Sequence, residues 1–283
     1  MPKPASSRRK IVRRKKEKRS YLKWIIVGCV VVFVLLLLFF LRSKCWNAEG
    51  KFAVVKDNGQ DVTVSLYDSN SKIQTDIIIP GNTQVLAAYG LGTWKLGSLW
   101  KLGMNEKMGG SLITRTISKN FSFPVFIWWD RLSLGDRLRL KLFTLLNREK
   151  KETILLKETG FLRKTVFLDG EEGYLVNKDA PENILSLFSD QEEFGNLLKA
   201  KIIDSTGIYG ISDKVGKIIE TMGIKVASIS KGPDMNIDCR VLGKNKKLVK
   251  KAVLIFGCQE SRVEDSSAFD LEINLGNNFN QEF

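Results

Sequence analysis

The sequence predicts an α/β (α+β) protein: a single N-terminal transmembrane helix, a membrane-proximal mixed α/β domain, and a small C-terminal α/β domain that begins β-α-β. Three observations predict it. Residues 24–41 (WIIVGCVVVFVLLLLFFL) are 18 consecutive positions without a charge. From residue 51 to 79, apolar residues alternate between turn signals. From residue 200, a strand pattern passes into a 3.6-residue apolar stripe and back into a strand.

The apolar run fits a bilayer in length, because an 18-residue helix spans about 27 Å. Tyr21 and Trp24 stand at an expected interface, and Lys23, Arg42 and Lys44 can snorkel to headgroups. Residues 1–23 hold eleven Lys/Arg against Glu17 alone, so +10 of the formal net charge of +14 lies in this tail and +4 on everything else. By the positive-inside rule the tail is cytoplasmic and residues 45–283 are exported. A cleaved signal peptide fits less well, since Arg42, Ser43 and Lys44 follow the core where small residues should precede a cut. The expected layout is therefore a basic cytoplasmic tail (1–23), an uncleaved signal-anchor helix (24–41), an exported mixed α/β domain (46–190) and a C-terminal domain (199–280). A tail this close to the headgroups suits anionic lipid better than nucleic acid, at about 1 kcal/mol per cation.

The chain contains no histidine, which excludes Ser-His-Asp and Cys-His nucleophile sites and any zinc site built on imidazole. Cys29, Cys45, Cys239 and Cys258 lack metal-ligand spacing and read as small apolar fillers; whether Cys239 and Cys258 pair in an oxidising compartment stays open.

Within the exported part, strands are expected at 51–55, 62–67 and 73–79, with Asn58-Gly59 and residues 68–71 as turns. A Gly- and Trp-rich stretch repeats WKLG at 94–97 and 100–103. Residues 111–121 give a helix whose apolar face is Leu112, Ile113, Thr116, Ile117 and Phe121. Residues 123–129 (FPVFIWW) read as a buried strand. Residues 133–147 read as a helix with Leu134, Leu138, Leu142, Leu145 and Leu146 at helical spacing and Arg137, Arg139 and Lys141 between them. A strand pair is expected around 153–156 and 165–176, turning at Asp169-Gly170, then a helix over 181–188 and a boundary near 188–198. In the last domain, 200–204 is a strand and Ser205-Thr206-Gly207 a link that can cap the next helix. That helix carries the stripe Ile208, Ile211, Val215, Ile218, Ile219 and Met222 and stops at Gly223. Strands at 224–229, 239–242 and 269–275 and a helix over 246–256 complete the unit. Gly207-Ile208-Tyr209-Gly210 lacks the dinucleotide-binding spacing and reads as a turn feeding a helix.

Two stretches resemble a known family. AKIIDSTGIYGISDKVGKIIETMGIKV and the closing FDLEINLGNNF are similar to the two ends of the C-terminal domain of LytR-type envelope proteins, the LytR–CpsA–Psr family. Asp204 stands where Asn is usual, and Asn278 where Asp is usual. SKIQTDIIIPGNTQVLAAYG is similar to the segment of the family's catalytic domain that reads Ser-Ile-Pro-Arg-Asp-Thr-x-Val. Here its Arg and Asp positions are Gly81 and Asn82, and the family's later arginine-rich segment has no counterpart.

The resemblance implies a membrane-anchored cell-envelope protein of glycopolymer maintenance. The missing Arg and Asp make a non-catalytic binding or scaffolding module the expectation, with no catalytic residue, no resident metal and no cofactor. The alternative is a divergent phosphotransferase that moves glycopolymer from a polyprenyl-pyrophosphate carrier to the cell wall. It would use Mg²⁺ on Asp76 and hold phosphate with Lys95, Lys101 or Arg115. A groove for a lipid phosphate would be lined by Thr83, Trp94, Lys95, Trp100, Lys101 and Arg115, although the tryptophans also suit core packing. The partners expected are the bilayer, wall glycopolymer, a polyprenyl-phosphate lipid or another envelope protein.

Overall fold

The computed structural model describes residues 23–35, 37, 45–46, 49–168, 170–177, 181–190, 198–261, 268–279 and 283. Among the described residues the protein is a mixed α/β structure with three sheets. Residues 23–35 and 37 are helical and exposed, and among the described residues no helix is long and apolar enough to cross a membrane. The rest of the predicted 24–41 span, like residues 1–22 of the basic tail, lies outside the described residues.

The first sheet is founded on the expected meander. Strands β1 (Lys51–Asp57), β2 (Val62–Asp68) and β3 (Ile73–Ile79) pair antiparallel, with Phe52 opposite Tyr67 and Leu66 opposite Thr75. Asn58 Oδ1 accepts from the Gln60 and Asp61 N–H groups, and Gly59 takes a left-handed φ of 83°, so side-chain and backbone chemistry together reverse the chain. After β4 (Thr83–Leu86) and β5 (Thr93–Lys95) come helices α1 (Leu99–Asn105) and α2 (Ser111–Phe121). Strand β6 (Ile127–Trp128), helix α3 (Leu134–Leu146), strands β7 (Lys151–Leu155), β8 (Leu162–Val166) and β9 (Glu172–Val176), and the short helix α4 (Glu182–Leu185) follow. The first sheet runs β6-β1-β2-β3-β7, with both edge strands parallel to their neighbours. The second runs β5-β4-β9-β8.

The C-terminal unit contains β10 (Lys199–Asp204), α5 (Ile211–Thr221), β11 (Lys225–Lys231), β12 (Cys239–Leu242), α6 (Lys246–Phe256), β13 (Gln259–Glu260) and β14 (Leu271–Leu275), in the order β11-β10-β14-β12-β13. The β10–α5–β11 crossover is parallel, as its pattern predicts. Helix α5 buries Ile211, Val215, Ile218 and Ile219 and turns out at Gly223 with a φ of 88°. Cys239 and Cys258 form a disulfide that ties β12 to the residue two beyond α6, so these two are not the free apolar fillers that their scatter suggests.

Several expectations change. The strand over 123–129 is confined to Ile127–Trp128, because Pro124 has no N–H to give a ladder; Phe123, Val125 and Phe126 are buried as irregular chain. The strand pair of 153–156 with 165–176 does not form. Instead β7 joins β3 in the first sheet, and the turn around Gly170 lies between β8 and β9. Pro181 precedes a single turn of α-helix that continues as a 3-10 turn over Ser186–Phe188. Ser205-Thr206-Gly207 does not cap α5: the N-cap is Gly210, and Ile208 stands outside the helix, 39 % exposed.

Helix α3 forms where its spacing predicts, and the structure decides which side it buries. Leu134, Leu138, Leu142, Leu145 and Leu146 all face outward, between 50 % and 73 % exposed. Leu140 and Asp136 are buried on the opposite side, while Phe143 meets Trp46 and Tyr67 edge-on. Ser133 caps the helix by accepting from Asp136 N–H and donating to Asp136 Oδ2. A 3.6-residue period reveals a stripe but not which side the core takes. Here the Phe143 ring and the Thr144 hydrogen bond to Gln74 (2.6 Å) fix the rotation.

A carboxylate joins the C-terminal unit to the first sheet. Asp190, 4 % exposed, accepts from Lys51 N–H through both oxygens (3.0 Å each) and pairs with Lys251 of α6, while its own N–H donates to Met222 O. Removing one partner of a buried pair leaves the other charge uncompensated. Asp190→Ala is therefore expected to cost about 3–5 kcal/mol, read by denaturant unfolding. Asp190→Asn keeps an acceptor for Lys51 N–H and should lose less.

Candidate binding cleft

In an open α/β sheet, ligands bind beyond the carboxyl ends of strands where the connections diverge to opposite sides. Strand β10 meets that condition: the chain leaves it for β11 on one side, and β12 and β14 lie on the other. A cleft of about 520 Å³ opens there, between the ends of β10 and β11 and the start of α5.

The cleft's geometry begins with Asp204. Its Oδ1 accepts from Thr206 N–H (2.9 Å) and Thr206 Oγ1–H (2.6 Å), and Thr206 Oγ1 in turn accepts from Ile208 N–H (3.2 Å). These local bonds turn the chain sharply out of the strand. Gly207 and Gly210, at φ of 70° and 83°, carry it back into α5. On the facing side Gly232 N–H donates to Asp204 O (3.0 Å). A Cβ at Gly232 would lie 2.5 Å from Ser205 Oγ, so glycine is what lets the two loops meet.

The walls combine three carboxylates (Asp204, Asp213 and Asp234) with Lys231, the fully exposed ring of Tyr209 and the half-exposed Ile229. Ser205, 6 % exposed, presents a buried hydroxyl that has no hydrogen-bond partner among the described residues. An acidic rim of this kind repels phosphate. It suits a neutral or amino-bearing polyol, whose hydroxyls donate to carboxylates while its apolar face lies on an aromatic ring.

No family model matches this chain, and no curated protein does.

The residues singled out from the sequence have different surroundings. Thr83 is fully buried on β4, and no partner for its hydroxyl is present among the described residues. Trp94, 40 % exposed on β5, donates through Nε1 to Leu91 O (2.7 Å). Lys95 pairs with Glu171 and lies beside the Phe167 ring. Lys101 is exposed on α1. The Arg115 guanidinium stacks 5.2 Å from the centre of the Tyr89 ring. Asp76 accepts from Gln74 (2.9 Å) and pairs with Lys151 (2.9 Å).

Trp100 alone among them lines a cavity described here, about 460 Å³, with Lys56, Trp129 and Asp130. There the Lys56 ammonium sits 4.6 Å from the centre of the Trp129 ring and donates to Tyr67 Oη (3.1 Å). Burial holds Lys56 below the usual lysine value, partly offset by Asp76. Burial, followed by the Asp76 charge, pushes the Tyr67 hydroxyl up.

The motif at 79–85 has a structural use. A Cβ at Gly81 would fall 1.7 Å from Gln60 O and 3.3 Å from the Gly97 Cα, so no side chain fits at that position. Asn82 donates through Nδ2 to Glu172 O (2.9 Å), and its own carbonyl accepts from Tyr174 N–H, fastening β4 to β9. Among the described residues, no group of three or more His, Cys, Asp or Glu side chains is placed to hold a metal.

The cleft residues were missed in the sequence because Asp204 reads as the end of a strand and Ser205-Thr206-Gly207 as a link that can cap the next helix. The available signal was topological: a β-α-β crossover places its first loop at a strand's carboxyl end.

Two predictions follow from these contacts. Gly81→Ala should destabilise by about 3 kcal/mol, because the clash is with backbone and cannot relax by a rotamer change; thermal unfolding measures it. For Asp76, burial raises the carboxyl's value, but the hydrogen bonds from Gln74 and Lys151 outweigh it and hold it below the usual 3.8. A carboxyl lowered in the fold stabilises at neutral pH, and that contribution disappears as acid protonates it. The Tm gap between wild type and Asp76→Asn should therefore narrow as pH falls from about 7 to about 3.

Proposed function

We propose that the chain is a membrane-anchored cell-envelope protein, with its N-terminus cytoplasmic and residues 45–283 outside. In this reading its C-terminal LytR-type unit binds wall glycopolymer without catalysing its transfer. The observation that carries the reading is the cleft beyond β10 and β11, where three carboxylates and an exposed tyrosine surround a space large enough for one or two sugar rings. The Cys239–Cys258 disulfide supports the exported side, since such bonds persist in oxidising compartments and are rare in a reducing cytosol. The uncharged run at 24–41, with its cation-dense flank, supports the anchor.

The phosphotransferase alternative draws less support. Gly81 has no room for the arginine that would hold pyrophosphate, Asn82 is engaged in a backbone bond, and Asp76 is paired with Lys151. Lys95 and Arg115 each have a protein partner where a phosphate would be needed.

The test is calorimetric titration of the full chain, in detergent micelles, with soluble amino-sugar oligosaccharides cut from wall glycopolymer. Tyr209→Ala is expected to weaken binding about tenfold, equivalent to about 1.4 kcal/mol, without moving Tm, because the ring packs on nothing. Unchanged affinity in that variant would remove the cleft from the reading. Turnover of lipid-linked pyrophosphate with Mg²⁺ would replace the reading with the enzymatic one.

A further inference from the structure

Helix α3 has an apolar side that nothing among the described residues covers. Five leucines, at least half exposed, occupy one arc of a 13-residue helix. Single exposed apolar residues are ordinary, but a contiguous stripe of this kind marks an interaction surface. The stripe is flanked by cations. Residues 133–150 contain Arg137, Arg139, Lys141, Arg148 and Lys150 against the buried Asp136 and the exposed Glu149, and Arg137 pairs with Asp130 just before the helix.

The position of α3 along the chain's path indicates what covers it. Arg139 donates to Trp46 O (2.9 Å), and the Trp46 ring packs edge-on against Phe143, with centroids 5.7 Å apart. Trp46 is five residues beyond the end of the 24–41 run. Five residues reach at most about 18 Å, so a bilayer-embedded run brings α3 to the membrane surface. On the helix, Arg139 and Phe143 lie roughly a quarter to a third of a turn from the middle of the leucine arc. The chain thus arrives at the flank of the stripe and leaves the leucines free to face the lipid.

We propose that α3 is an interfacial helix: its leucines enter the headgroup–acyl boundary of the outer leaflet, and the exposed Lys141, Arg148 and Lys150 on and just after it meet lipid phosphates. This is the arrangement amphipathic helices adopt when they lie in the plane of a membrane. The proposal rests on the anchor reading above. It holds the exported domains against the bilayer in a fixed orientation instead of on a free tether, and that orientation determines where the β10–β11 cleft stands relative to the wall.

The test uses the full chain in vesicles of phosphatidylglycerol and phosphatidylcholine, in a Cys29→Ser, Cys45→Ser background. Nitroxide labels are placed at Leu138→Cys, at Leu142→Cys and, as a reference, at Leu168→Cys, a fully exposed residue between β8 and β9. A fourth label at Val34→Cys reports the anchor. Collisional relaxation by oxygen, which partitions into lipid, is compared with that by a water-soluble nickel chelate. The expected result is oxygen access that exceeds nickel access severalfold at 138 and 142, as at 34, while 168 shows the reverse. Labels at 138 and 142 as accessible to nickel as that at 168, with 34 in lipid, would overturn the proposal and leave the anchor standing. A water-accessible label at 34 would remove the anchor and the proposal with it. Shielding of 138 and 142 from both reagents would mean that a protein surface, not lipid, covers the stripe. Both leucines are exposed, so the substitutions should leave Tm unchanged.

Discussion

The arrangement of the C-terminal unit on the first sheet depends on one buried carboxylate. Asp190 reaches Lys51 at the start of β1, Lys251 on α6 and, through its backbone, Met222 at the end of α5. These three points belong to segments far apart in sequence, and each would be a separate desolvation cost if unpaired. Lys51 adds to the clamp by donating to Leu187 O (2.8 Å) and lying 3.8 Å from Asp68. A second, more exposed tie runs from Lys247 to Glu49, but an exposed pair contributes little beside a buried one. Because Asp190 holds β1 near its beginning, it also fixes the point where the chain enters from the N-terminal side, which is the point that Trp46 and α3 share.

The same economy of space decides what the 79–85 turn can do. An arginine at position 81 would need room for a long side chain, yet the backbone of Gln60 and Gly97 lies where even a Cβ would go. The Gly81 and Gly97 backbones are also hydrogen-bonded, with Gly97 N–H donating to Gly81 O at 2.9 Å. This close approach draws the hairpin loop, β4 and the start of α1 together. The turn is packed so tightly that a long phosphate-binding side chain and the present fold exclude one another at position 81.

What the sequence disclosed follows the range of the forces involved. Strands β1 to β3 were legible to within two residues at each end, because alternation and the Asn58-Gly59 turn are local. Helices α2, α5 and α6 were legible for the same reason, from stripes such as Leu112, Ile117 and Phe121. Strand β4, for which the sequence suggested no element, was not. It is four residues long and pairs in parallel with β9 some ninety residues later, at Thr83 and Tyr174, and no local pattern announces such a partner. Strand β7 was found but given the wrong neighbour, because alternation does not name the sheet a strand joins. The leucines of α3 were found at helical spacing, with no side of the helix assigned to the core. Only tertiary contacts at Phe143 and Thr144 reveal that the core took the other side. The cleft shows the same division: Ser205-Thr206-Gly207 was visible as a tight link, but its place at a divergence of strands needs the sheet order.

Electrostatics connects these parts into one argument about function. Of the +14 formal charge, +10 lies in the first 23 residues, so the strong basicity of the chain says nothing about its folded body. Within that body the charges are sorted by location. The α3 surface carries exposed Lys141, Arg148 and Lys150 beside its leucines, whereas the cleft carries Asp204, Asp213 and Asp234 around a single lysine. A phosphate-bearing surface is attracted to the first and repelled by the second. The proposed reading uses both signs: lipid phosphate orients the protein through α3, and the acidic cleft, freed from competition by that same phosphate, is left to an uncharged or amino-bearing sugar. If the two patches had the same sign, one ligand chemistry would suffice for both. Their opposition is what makes a single phosphate-handling site, as an active transferase would require, the poorer account of this chain.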